Sequence, residues 1–229
     1  MTKRRSIHKK FYREGRGIIL SFIFLSILFS WMVWHFQPYK SIFFAVVLLS
    51  LVVLVLILNF FRSPIRHNPY LEKEDAITSP ADGKIVAIET VYEGRYLKCE
   101  CIKLSVFMSI YSVHANWVPV AGIIERVEHT EGNFHKAFLP KSSTENEHSS
   151  VIIRTNSTHR ILVEQIAGAV ARRITTYVEE GDEVDVNDKL GFIRFGSRVD
   201  LYLPLESNLE HSIGTQVTGG MTLLGYLPL

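Results

Sequence analysis

Cysteine is almost missing from this chain of 229 residues: there are two, Cys99 and Cys101. One residue apart, they point the same way on a strand, too close for ordinary disulfide geometry and too few for a zinc site. They are read as reduced packing residues, which fits a cytoplasmic domain. An excess of either charge is missing too. The formal net charge is +2, with no sustained basic face carrying interleaved aromatics, so nucleic acid is not expected as a partner. The length suffices for one medium domain and an appendage.

What the chain has in plenty is apolar residues, 47% of the total, and they are concentrated near the N-terminus. Residues 18–34 form an uncharged run, and residues 41–61 a second, richer one. At ~1.5 Å rise per residue the second run spans about 31 Å as a helix, the thickness of a bilayer's hydrocarbon core. The link between them is short and contains Pro38, which predicts a tight two-helix transmembrane hairpin. Trp31, Trp34 and Tyr39 fall where interfacial aromatics are expected. No small-x-small cleavage site separates the runs, so the first is not read as a signal peptide. Lys3, Arg4, Arg5, Lys9, Lys10, Arg13 and Arg16 precede the hairpin, Arg62 and Arg66 follow it, and the connecting loop carries only Lys40. The positive-inside rule then puts both ends in the cytoplasm. The expected organisation is a basic N-terminus (1–17), the hairpin (18–61), a linker containing Pro64 and Pro69 (62–75) and a cytoplasmic domain (76–229).

That domain reads as mainly β. Runs of β type cover residues 84–89, 96–106, 118–127, 150–154, 160–165, 169–178, 189–195 and 198–203, with turn residues between them. The pattern predicts a compact β-barrel or sandwich-like domain. Gly181-Asp182 and Leu190-Gly191 resemble the turn grammar of lipoyl and biotinyl carrier barrels, and Ser79-Pro80-Ala81-Asp82-Gly83 is a candidate for the matching half of a duplicated hybrid unit. No lysine in a Met-Lys-Met or Asp-Lys-Ala setting occupies a hairpin tip, so cofactor carriage is not expected. Residues 134–149 read as one long irregular loop.

Three stretches hold chemistry-bearing side chains. Gly196-Ser197 is the only Gly-Ser pair, at the head of a strand where Val199, Leu201 and Leu203 alternate with Arg198, Asp200 and Tyr202. Glycine permits a sharp, exposed corner there. Pro80-Ala81-Asp82-Gly83 puts an acid in a turn, and Val113-His114-Ala115-Asn116-Trp117-Val118-Pro119-Val120-Ala121-Gly122 puts an imidazole beside an apolar run. Each alone also has a plain structural role: a turn before a strand, a turn-forming acid, a packed histidine. Together they supply the hydroxyl, imidazole and carboxylate from which a nucleophilic serine is assembled.

These stretches resemble the phosphatidylserine decarboxylase family, in its short membrane-anchored bacterial form. The likeness lies in the Pro-x-Asp-Gly turn, the Val-His-x-Asn-x-x-Pro-x-x-Gly segment and the Phe-Gly-Ser-x-Val segment, in that order, from residue 77 to the C-terminus. Asn146-Glu147-His148 is also similar to the family's Asn-Glu-Arg segment. The resemblance implies a self-processing proenzyme. Ser197 attacks the carbonyl of Gly196, His114 acts as base, Asp82 fixes the imidazole, and the chain is cut into fragments 1–196 and 197–229 that stay associated. A pyruvoyl group made from Ser197 is the implied cofactor, with neither metal nor pyridoxal phosphate. Through a Schiff base it would convert phosphatidylserine of the bacterial inner membrane into phosphatidylethanolamine and CO2, on the cytoplasmic side.

Two positions depart from the family pattern. Tyr111 stands where longer members have a second histidine, and Trp117 where short members often have arginine. The proton donor for decarboxylation is therefore left open, with His114 as the candidate. Lys136, Arg172 and Arg173 are candidate phosphate partners, against ordinary solvated charge. Two other classes compete: a membrane-tethered binding or adaptor module without chemistry, and an anchored hydrolase using Ser197, His114 and Asp82. Homo-oligomer formation stays open.

Overall fold

A computed structural model describes residues 11–37, 39–73, 75–132, 146–157, 159–168, 173–186, 188–194 and 197–228. The chain divides into two compact units, one ending at Ile65 and one beginning at Arg66.

The first unit is built from the two apolar runs. They form α1 (Arg13–Phe36) and α2 (Lys40–Phe60), both long and apolar enough to cross a membrane. The helices run antiparallel. The Tyr12 N–H donates to the Phe61 carbonyl at 3.0 Å, and Trp34 meets Phe43 edge to face with centroids 5.0 Å apart. Lys40 Nζ donates to the Trp34 carbonyl at 2.7 Å, satisfying one orphan acceptor at the end of α1. Leu20, Phe24, Leu48 and Leu49 all lie on the outside. Water does not tolerate so much exposed apolar surface, whereas lipid does, and the pair fits membrane association.

The second unit is mainly β. Its strands among the described residues are β1 (Ala76–Thr78), β2 (Gly83–Glu93), β3 (Cys99–Met108), β4 (Ala115–Trp117), β5 (Gly122–Thr130), β6 (His148–Arg154), β7 (Arg160–Ala167), β8 (Ile174–Thr176), β9 (Glu183–Val184), β10 (Lys189–Ile193), β11 (Ser197–Leu203), β12 (Asn208–Leu209), β13 (Gln216–Val217) and β14 (Leu223–Tyr226). One sheet has the order β13-β2-β3-β11-β7-β6-β5-β9, and two small sheets have the orders β1-β14-β12 and β4-β10-β8. Every strand pair is antiparallel.

The large sheet falls into two like halves that meet between β11 and β7. Val217 pairs with Gly83 at the head of β2, and Val184 with Gly122 at the head of β5. Irregularities follow at matching places, between Ile85 and Ala87 and between Ile124 and Arg126. The Gly214 N–H reaches Ile85 O at 2.8 Å, as the Gly181 N–H reaches Ile124 O at 2.8 Å. Both glycines have positive φ, 99° and 87°, which a side chain resists. The halves also lock together: Thr78 N–H donates to Pro119 O and Trp117 N–H to Pro80 O, each at 2.8 Å.

Leu104, Val106, Val151, Val163, Val199 and Leu201 fill the core between the layers. The opposite face of β11 is buried as well, contrary to the half-buried strand expected from its alternation. Arg198 pairs with Asp200 at 2.8 Å, and the Tyr202 hydroxyl donates to Glu164 at 2.8 Å, so the polar side chains are matched and can be covered. The expected loop over 134–149 is also corrected in part: Asn146 and Glu147 are buried, and His148 and Ser149 open β6, while 134–145 lie outside the described residues.

Candidate active site

β11 lies between β3 and β7, hydrogen-bonded along both edges, and Ser197 is its first residue, opposite Met108 and Ala167. The serine is fully buried, not the exposed corner that the Gly-Ser pair suggested, because a paired strand stands on either side of it. Its hydroxyl donates to Met108 Sδ at 3.1 Å. A thioether is a weak acceptor, so it aims the hydroxyl without holding it strongly.

A polar chain leads away from this sulfur through the core. Asn116 Nδ2 donates to it at 3.6 Å, Gln165 Nε2 donates to Asn116 Oδ1 at 2.7 Å, and the Thr176 hydroxyl donates to Gln165 Oε1 at 3.2 Å. Ser149 and Thr176 share a further hydrogen bond at 2.7 Å. Gly191 makes room for the chain, since a Cβ there would stand 2.7 Å from Gln165 Nε2 and 2.4 Å from the Thr175 carbonyl oxygen.

His114 precedes β4 and is fully buried. Its Nδ1 lies 3.0 Å from the Ser112 carbonyl oxygen. That contact assigns the ring proton to Nδ1 and leaves Nε2 as the basic nitrogen. The His114 carbonyl accepts the Ile193 N–H at 3.1 Å, at the end of β10. Three residues of chain separate Ile193 from Ser197. Gly196 and Phe195 lie outside the described residues.

Asp82 occupies the turn between β1 and β2. Both its oxygens meet Arg66, at 2.6 and 2.7 Å, and Oδ1 also accepts the Gly219 N–H at 2.8 Å. The Arg66 guanidinium lies 4.2 Å from the centre of the Trp117 ring. The tautomer-fixing contact foreseen for Asp82 is thus made at Nδ1 by the Ser112 carbonyl, and the acid is held by Arg66.

Met108, Asn116, Gln165 and Arg66 were not picked out as site residues from sequence. One signal did exist: His114 and Asn116 are two apart on an extended segment and share a face. Asn146 and Glu147 close the same end of the sheet, through Asn146 Nδ2 to Ala167 O at 2.6 Å and Ala167 N to Glu147 O at 2.9 Å. Tyr111 sits in the turn between Met108 and His114 with its ring largely exposed. Arg173 is exposed, whereas Lys136 and Arg172 lie outside the described residues. Both cysteines are free, and burial followed by the neighbouring Cys99 pushes the Cys101 thiol up to about 11, so it stays protonated and inert at neutral pH. Among the described residues no group of three or more His, Cys, Asp or Glu converges on a metal position.

A buried serine at a strand head, in a β domain whose preceding strand is tied by its backbone to a buried histidine, is the candidate site. The family model for phosphatidylserine decarboxylase matches residues 53–225. A "Phosphatidylserine decarboxylase proenzyme" from Porphyromonas gingivalis is 45% identical over 221 residues, covering 96% of this chain and 99% of that one. Proteins of the same description from Parabacteroides distasonis and Phocaeicola vulgatus are 44% and 43% identical, over 95% and 99% of this chain and 99% and 100% of theirs. The chain belongs to the phosphatidylserine decarboxylase family.

Proposed function

We propose that this protein is a phosphatidylserine decarboxylase proenzyme, which cuts itself between Gly196 and Ser197 and then converts phosphatidylserine into phosphatidylethanolamine and CO2. The observation that carries the proposal is the setting of Ser197: fully buried, at the head of a strand bonded on both edges, with its hydroxyl on Met108.

Self-processing uses the chain's own groups. Ser197 Oγ attacks the Gly196 carbonyl carbon while His114 Nε2 takes the hydroxyl proton. The C–N bond breaks, the amine of residue 197 receives a proton, and an ester joins the two residues. Removal of the residue 197 Cα proton expels the Gly196 carboxylate and leaves a dehydroalanine. Tautomerisation to the imine and attack by water release ammonia and leave a pyruvoyl group. Asp82 is assigned to support the imidazolium, held in place as described above.

The residues present fit that group. It keeps the three-carbon skeleton of serine with an oxygen in place of the amide nitrogen, so a fully buried site has no extra volume to find. Met108 and Ala167, which stand opposite Ser197, would flank it, and Asn116, whose Nδ2 meets the Met108 sulfur, would be a candidate donor. The chemistry the group supplies is a carbonyl sink for the electron pair left on the α-carbon when CO2 departs. His114 is assigned the later proton transfer to that carbon. Once cut, β11 keeps its ladders to β3 and β7, which supports lasting association of fragments 1–196 and 197–229.

The antiparallel α1–α2 pair is read as a transmembrane hairpin, with both ends on the cytoplasmic face of the bacterial inner membrane. It holds residues 76–229 beside a substrate that never leaves the bilayer. The matching halves of the large sheet support a duplicated, carrier-barrel-like ancestry for that domain. The test is conversion of phosphatidylserine in mixed vesicles by the full-length protein. The expected result is phosphatidylethanolamine and CO2 in equal amounts, with activity abolished by borohydride or hydroxylamine. Absence of product, or activity indifferent to both reagents, overturns the proposal.

A further inference from the structure

Arg66 follows α2 by six residues, in a stretch whose prolines mark it as a linker, yet its side chain is only 11% exposed. It makes three hydrogen bonds: Nη1 to Asp82 Oδ1 at 2.6 Å, Nη2 to Asp82 Oδ2 at 2.7 Å and Nη1 to the Gly219 carbonyl at 2.5 Å. The flat of the guanidinium rests on Trp117. That indole is itself wedged: a Cβ on Gly219 would stand 2.6 Å from it and one on Gly220 2.8 Å. Three other parts of the chain therefore converge on this linker cation: the Asp82 turn, β4 and Gly219.

We propose that Arg66 is a positioning residue for self-processing, setting the Asp82 carboxylate relative to the segment that carries His114. The proposal rests on the assignment of Asp82 to the processing machinery. A bidentate guanidinium fixes the plane of a carboxylate as a single ammonium cannot. Arg66 and Gly219 together take two acceptor positions on Oδ1 and one on Oδ2, so Oδ2 keeps the larger share of remaining capacity. Trp117 lies three residues after His114 on the same run, so the stacking contact ties the acid's holder to the base's own backbone. A guanidinium over an indole is also a favourable cation–π pair, strongest where water is kept away. Arg66 does not touch the reacting atoms and acts through Asp82.

The experiment follows self-cleavage of full-length protein made by cell-free synthesis in detergent micelles. The rate of conversion of the 229-residue chain into two fragments is compared for wild type, Arg66→Ala, Arg66→Lys and Asp82→Ala. Arg66→Ala is expected to slow cleavage about 10²-fold, the scale of a misplacement near 1 Å. Millimolar guanidinium is expected to restore part of that rate, and to do nothing for Asp82→Ala. Arg66→Lys is expected to recover less, because an ammonium neither forks onto the carboxylate nor stacks in the same way. Cleavage of Arg66→Ala at the wild-type rate overturns the proposal, as does slow cleavage without guanidinium rescue, which marks a structural staple. Normal cleavage of Asp82→Ala instead overturns the role of Asp82 on which the proposal stands.

Discussion

The two halves of the large sheet share a backbone and differ in chemistry. One is β13-β2-β3-β11, the other β9-β5-β6-β7, with paired glycines, paired irregularities and reciprocal bonds through Pro80 and Pro119. Pro80-Ala81-Asp82-Gly83 is answered by Pro119-Val120-Ala121-Gly122, so an acid faces an alanine. Arg198 pairs with Phe107 as Arg160 pairs with Arg154, which makes His159 the counterpart of Ser197. His159 closes a tight turn, its N–H on Thr155 Oγ at 3.2 Å and its carbonyl on the Thr155 N–H at 2.9 Å. β6 and β7 are a hairpin, while β11 arrives from β10. A strand whose ladder is complete on both edges does not depend on the peptide bond at its start. β7 is likewise paired on both edges, so what sets β11 apart is its approach from β10 and the Gly-Ser junction at its head. The shared framework supplies the fold, and the acid, the serine and its Met108 partner lie on one half only.

The two halves differ most sharply at the histidines. His114→Gln is expected to slow self-cleavage about 10²- to 10⁴-fold, the usual worth of a general base, while His159→Gln cleaves like wild type. Densitometry of the two fragments against time checks both. Asn116→Ala is expected to cost about 10²-fold if its amide is a preorganised donor near Ser197, read in the same assay. Tyr202→Phe tests the back of β11. It leaves Glu164, whose pKa burial raises against the pull of Arg95 and the Tyr202 hydroxyl, short of one donor. The expected cost is about 1–3 kcal/mol of stability, with the cleavage rate unchanged, measured by thermal unfolding beside the kinetic assay.

The smallest effect concerns the β2–β3 turn. Burial works against ionisation of Glu93, but the N–H groups of Leu97, Arg95 and Tyr96 outweigh it and hold its pKa below the usual carboxylate range. A carboxylate depressed on folding stabilises above its unfolded pKa and loses that contribution as pH falls through the folded value. Thermal midpoints of wild type and Glu93→Gln should therefore differ at neutral pH, in favour of wild type, and converge in acid.

The strands of the large sheet were legible where a run of β type lasted five residues or more, as in β2, β3, β7 and β11. β1, β4, β9, β12 and β13 were not, because two or three residues carry no period. Ser197 and His114 were singled out from their motifs, while the burial of Ser197 was not foreseen, since that depends on β3 and β7 closing from both sides. Arg66 read as linker charge. Its partners Asp82 and Gly219 lie 16 and 153 residues away, and no local pattern reports such a contact.

The most direct measurement is the intact mass of full-length protein beside its Ser197→Ala variant. Self-processing predicts two fragments from wild type, 1–196 and 197–229, the smaller without a free N-terminal amine, and a single 229-residue chain from the variant. A wild-type chain that stays whole and still converts phosphatidylserine contradicts it.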